Sequence, residues 1–108
     1  MKLIRQHISK LQELCERHYV SEMYVFGSII NNKELKPDSD IDFLVKFSGV
    51  ELKDYFDNYM DLKESLEFLF SRPVDLLEIQ TIKNPILKRS INRNKKKIYG
   101  RENPKMAV

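Results

Sequence analysis

Apolar residues recur every three or four positions along residues 2–19. Ile4, Ile8, Leu11, Cys15 and His18 form a stripe, which Leu3, His7 and Leu14 widen. That period predicts an amphipathic helix. At Glu22 the pattern changes: Glu22–Phe26 (E-M-Y-V-F) is rich in β-formers and stops at Gly27, as a strand running into a turn would. Asn31-Asn32 and Pro37-Asp38 mark a loop. From Ser39 to Phe47 the residues alternate. Ile41, Phe43, Val45 and Phe47 are all apolar, whereas Asp40, Asp42, Leu44 and Lys46 take the other side. Successive strand side chains point to opposite faces, so the first set packs on a core and the second opens outward.

Ser48-Gly49 ends this strand. Between about Glu51 and Ser71 the helical period returns, with Tyr55, Tyr59, Leu62, Leu66 and Leu69 on one stripe and Phe56 and Phe70 beside it. These aromatics are expected in the core. Pro73–Ile79 (P-V-D-L-L-E-I) reads as a third strand, in which Asp75 shares a face with Leu77 and Ile79. A charge in that place is either a rim residue or a third carboxylate aimed at Asp40 and Asp42. Asn84-Pro85 supplies a helix cap followed by proline at the first helical position, so a helix is expected from Pro85 to about Asn92. Ile86, Leu87 and Ile91 would be its buried face, and Lys97–Gly100 a short edge strand. The elements predict an α/β (α+β) fold: a small mixed sheet of three to four strands flanked by helices, forming one domain over residues 1–108.

Composition narrows this picture. A chain of 108 residues supports one modest core. The single Cys15 excludes an intramolecular disulfide and a cysteine zinc site, and fits a reducing cytoplasm. No apolar run approaches the roughly 18 residues that span a bilayer, and Met1-Lys2-Leu3 opens no signal peptide, so no membrane partner is expected. The net charge of +3 hides an asymmetry: from Lys83 onward nine Lys/Arg face Glu102 alone, whereas residues 1–82 carry ten Lys/Arg against fifteen Asp/Glu. A basic tail of this kind binds nucleic acid, an acidic partner or nucleotide phosphates, or is simply a solvated helix face with a frayed end from about residue 101.

The chemistry concentrates between Val25 and Phe43. Asp40 and Asp42 would project from one side of a strand and repel each other unless a cation lies between them. Gly27-Ser28 supplies a turn whose backbone can approach a phosphate, with a hydroxyl beside it. An EF-hand opening at Asp38 fails, because its sixth and twelfth positions hold Phe43 and Gly49. A Walker loop fails, because no Lys-Ser/Thr follows Gly27 in frame. His7 and His18 lie eleven residues apart on the first helix, without the spacing of a helical metal pair, and read as boundary residues. Metal-assisted phosphoryl or nucleotidyl transfer remains, with Asp40, Asp42 and Asp75 as suitable carboxylates for a two-ion site.

Gly27-Ser28, an intervening loop and Asp40-Ile41-Asp42 resemble the signature of the DNA polymerase beta-like nucleotidyltransferase superfamily. The later R-P-V-D-L and K-N-P-x-L stretches are similar to its minimal nucleotidyltransferase branch, which includes the MntA-type antitoxins of HEPN/MNT toxin–antitoxin pairs. The resemblance spans residues from about 23 to 100. Eleven residues, Ile29 to Ser39, separate Gly-Ser from the first acid where the family usually has ten, and Ile29-Ile30-Asn31-Asn32 stand where it favours an early Arg and Gly. The resemblance implies that Asp40, Asp42 and Asp75 bind two Mg²⁺ ions and that Gly27, Ser28 and Ser39 contact the nucleotide, with ATP as substrate. It further implies AMP transfer to a protein acceptor, a tyrosine of a HEPN-domain ribonuclease toxin. Two other readings stay open: an antitoxin that neutralises such a partner by complex formation alone, and a nucleotidyltransferase acting on nucleic-acid ends. The chain has no room for a separate acceptor-binding domain, so a partner or an oligomer must supply acceptor specificity.

Overall fold

The alternating segments form the middle of a four-stranded sheet, and the order of its strands decides where the acids go. The computed structural model describes residues 2–27 and 39–100. Two short helices, α1 (Lys2–Gln6) and α2 (Ile8–Arg17), precede β1 (Val20–Phe26) and β2 (Ile41–Phe47). A long helix α3 (Leu52–Phe70) leads to β3 (Val74–Glu78), a 3-10 turn (Ile79–Thr81), α4 (Pro85–Asn94) and β4 (Lys96–Gly100). The sheet order is β3-β2-β1-β4. β1 is antiparallel to both β2 and β4, whereas β2 and β3 are parallel. A parallel pair requires a long crossover, which α3 provides.

One sheet face carries the core. Met23, Val25, Ile41, Phe43, Val45 and Leu76 are buried on it, under Leu11, Leu14 and Cys15 of α2 and Leu62, Leu66 and Phe70 of α3. The Phe43 and Phe70 rings lie 5.8 Å apart. Polar contacts fix α3 to β3 along its length. Tyr55 donates to Glu78 at 2.8 Å, Tyr59 donates to the Leu76 carbonyl, and Glu67 accepts from the Val74 N–H at 3.0 Å. At its end, Ser71 adopts a left-handed conformation and its N–H caps the Glu67 carbonyl.

Several expectations need correction. The helix over 2–19 is broken at His7, whose backbone leaves the helical region. The His7 ring lies 3.0 Å from the Leu3 carbonyl through Nδ1 and rests against Phe70. His18 is not a boundary residue but is buried. Its Nδ1 lies 2.7 Å from the Leu14 carbonyl and its Nε2 2.6 Å from Asp61, so partners meet both ring nitrogens. Ile86 and Leu87 are 77% and 46% exposed, and α4 buries Ile91 alone. Phe56 is also exposed rather than part of the core. Leu44, on the outward side of β2, is buried; like Ile91 it lies outside the main cluster, so the outward face is covered in part. Ile79 leaves the strand for the 3-10 turn, so it does not continue the Asp75–Leu77 face. Among the described residues, no helix is long and apolar enough to cross a membrane.

Candidate active site

Register brings the acids together. Asp42 is the partner of Phe26 on one side and of Asp75 on the other. Cross-strand partners project from the same face. Asp75, Asp42 and Phe26 therefore form one row, on the face opposite Val25, Phe43 and Leu76. Asp40 lies just before β2 begins. Two contacts hold this end of the β2–β3 pair: the Ile41 N–H donates to the Pro73 carbonyl at 3.1 Å, and Glu67 holds the Val74 N–H. The residue after each anchored position is a row acid.

The row is electrostatically strained. Asp42 is half-buried, while Asp40 and Asp75 are exposed. Burial raises the Asp42 carboxyl above the usual carboxylate range, and the charges of Asp75 and then Asp40 raise it further. Of the two meanings open for Asp75, the register favours a carboxylate beside Asp42 over an isolated rim charge.

Gly27 closes the row beside β1. Its φ is +78°, and a Cβ placed on it would lie 2.3 Å from Asp42 Oδ2. Glycine is needed here twice, for the left-handed turn and for the close approach of backbone to carboxylate. Ser28 lies outside the described residues. Ser39 is half-buried, two residues before the start of β2.

A second group on this face escaped the sequence reading. Tyr24, two residues from Phe26, donates to Glu22 at 2.5 Å, and Glu22 meets Lys46 at 3.9 Å. The ammonium of Lys95 lies 4.3 Å from the centre of the Tyr24 ring. Burial, the hydrogen bond to Glu22 and the Glu22 charge push the Tyr24 phenol up to about 12. The alternation of Tyr24 with Phe26 was visible in the sequence. Which of Lys95, Lys96 and Lys97 reaches the ring depends on the register of β4 and was not.

The donor set suits a hard divalent cation: three carboxylates, with no sulfur or imidazole among them. Excess negative potential at Asp42 is what such a cation would relieve. Among the described residues no three His, Cys, Asp or Glu side chains converge closely enough to hold an ion already.

Comparison with known proteins bears on this geometry. The family model described as "Polymerase beta, Nucleotidyltransferase" matches residues 9–104. The protein adenylyltransferase MntA of Thermococcus cleftensis is 40% identical over 79 residues, which cover 71% of this chain and 74% of that protein. A solved structure of a candidate minimal nucleotidyltransferase superposes with a TM-score of 0.71 at 28% identity, covering 88% of this chain and 92% of the other. A chain from the complex of a tri-AMPylated Shewanella oneidensis HEPN toxin with an MNT antitoxin superposes with a TM-score of 0.62. At 17% identity, covering 95% of this chain and 77% of the other, that likeness concerns the fold.

Proposed function

Since the chain belongs to the polymerase beta nucleotidyltransferase family, and is an enzyme of that family, we propose that it transfers AMP from Mg-ATP to a tyrosine of a HEPN-domain toxin and so acts as its antitoxin. The row formed by Asp42 and its register partner Asp75, with Asp40 adding its charge, carries this reading. The names of the relatives support the protein acceptor: one is a protein adenylyltransferase, and a fold neighbour lies in a complex with an AMPylated HEPN toxin.

Asp40, Asp42 and Asp75 would hold the cations. When bound, Mg²⁺ neutralises phosphate charge and stabilises the attacking and leaving oxygens of an in-line displacement. The protein's own work is positional. Asp42 and Asp75 present their carboxylates in one row because the parallel ladder holds them there. Gly27 brings the backbone up to Asp42 and leaves no side chain between that carboxylate and a phosphate. In the reaction the acceptor phenol oxygen bonds to the α-phosphorus, the bond from that phosphorus to the pyrophosphate oxygen breaks, and the phenol proton is released.

The test is to incubate the wild-type protein with Mg-ATP and its co-expressed HEPN partner, and to measure AMP addition by intact mass. Adduct is expected with wild type and absent with the Asp40→Asn/Asp42→Asn double variant. A partner left unmodified by folded wild-type protein would overturn the proposal. Full neutralisation of the toxin by the double variant without nucleotide would favour inhibition by binding alone.

A further inference from the structure

The active row has a basic neighbour across β1. Because β4 is antiparallel to β1 with Lys96 opposite Val25, Lys95 enters the sheet at the end that carries Gly27 and Asp42. Its ammonium sits on the Tyr24 ring. Tyr24 is opposite Leu44, and Phe26 is opposite Asp42, so the ring belongs to the face that bears Asp42 and Asp75. From strand rise and spacing, Tyr24 and Asp42 are about 8 Å apart on that face.

The neighbours of Lys95 explain why its charge stays available. Glu22, the nearest carboxylate along β1, is engaged by the Tyr24 hydroxyl and by Lys46. Among the described residues Lys95 has no ion-pair partner; its side chain is held by the ring alone. A ring face attracts the charge but accepts none of the three ammonium N–H groups in the way an oxygen would. Lys97 differs: a Cβ added at Gly100 would lie 2.1 Å from its Cε, so its stem runs toward Gly100, away from the acids. Lys97 shares the face of its register partner Tyr24 but points away from Asp42 and Asp75, which leaves Lys95 as the lysine of the run beside the acids with its donors unspent.

We propose that Lys95, positioned on the Tyr24 ring, binds the phosphate chain of the nucleoside triphosphate substrate. The acids hold that chain through cations at one end of the face, and Lys95 reaches it directly from the other side. Tyr24 is a positioning residue, and the Glu22–Lys46 pair fixes its hydroxyl. This inference rests on the nucleotidyl-transfer reading and adds to it a triphosphate contact from the residue that joins α4 to β4.

The experiment measures equilibrium binding of a non-hydrolysable ATP analogue and of AMP, both with Mg²⁺, with folding of each variant verified by thermal melting. Lys95→Met should weaken binding of the triphosphate analogue about tenfold or more, the size expected for a charge-assisted hydrogen bond, and leave AMP affinity unchanged. Lys95→Arg should retain tight binding, Tyr24→Leu should lose part of it, and Tyr24→Phe should lose less than Tyr24→Leu. Lys97→Met should match wild type. If Lys95→Met does not fold, Lys95→Gln takes its place. Wild-type affinity for the triphosphate in the folded Lys95 variant, or an equal loss for AMP, would overturn the inference and leave the nucleotidyl-transfer reading standing. Failure of the wild-type protein to bind the triphosphate analogue at all would overturn both.

Discussion

Asp42 and Asp75 are register partners in the parallel β2–β3 pair, held side by side by the backbone ladder. The ladder imposes a proximity that the carboxylates themselves oppose, and the Asp75 charge adds to the burial that already raises the proton affinity of Asp42.

Removing one charge should therefore stabilise the metal-free protein. A carboxyl raised in the folded state binds more protons there than in the unfolded chain. Its contribution to stability consequently falls as pH rises through its folded pKa and recovers as pH drops below it. Thermal melting in chelator should give Asp42→Asn a higher Tm than wild type at neutral pH, the difference narrowing as the pH is lowered through the Asp42 titration. A lower Tm for Asp42→Asn at neutral pH would contradict this account.

Gly27→Ala should cost about 1–3 kcal/mol of stability, the range for a side chain forced into a sparsely populated backbone region. It should also abolish transfer, because the new methyl group occupies the place of Asp42 Oδ2. Shortening Asp42 to Ala removes the collision but not the backbone strain. Denaturant titration of the two single variants and the double variant should thus show the Gly27→Ala cost reduced in the Asp42→Ala background.

Tyr55→Phe removes the hydroxyl that donates to the buried Glu78 carboxylate and leaves the Gln80 N–H as its remaining described donor. Hydrogen bonds to charged groups contribute about 1.5–3 kcal/mol, and a loss in that range is expected in urea. Glu78 and Asp75 belong to the same short strand but point to opposite faces, so nucleotide affinity should change little.

Cys15 should be inert in the folded protein. Its thiol is fully buried, its Sγ lies 3.8 Å from the Met23 sulfur, and burial, aided by Glu16, pushes it up to about 12. Thiolate is the reactive form. A thiol reagent at neutral pH should label the protein at the rate of unfolding, and labelling should become immediate in denaturant.

The centre of the fold was legible because alternation is unambiguous in β2. Ile41, Phe43, Val45 and Phe47 could face only the core, and Asp42 followed to the other side. The side taken by Asp42 was legible for the same reason, and Gly27 was picked out by its place after a β-prone run, but Asp75 stayed open between two meanings because its pairing with Asp42 depends on the β2–β3 register. The periphery was harder. Ile86, Leu87 and Ile91 fit a buried helical face, but a helix gains burial only where another element meets it, and α4 is covered at Ile91 alone. The reverse holds for Leu44, which is buried on the face that carries the acids. His18 looked like a boundary residue because its partner Asp61 lies 43 residues away. Lys95 was hidden in a lysine run whose members are distinguished only by strand register.

The basic start of β4 lies at an edge of the sheet. Among the described residues β4 closes one side of the sheet, and its outer rim of backbone donors and acceptors is the kind of edge onto which another strand can add. Lys96, exposed at the start of β4 between Lys95 and Lys97, puts positive charge at the entry to that rim. A second copy added in parallel would set the same charges side by side, whereas one added antiparallel would set them against Ile98, Tyr99 and Gly100. An acidic segment laid along that rim would meet charge of the opposite sign at its entry.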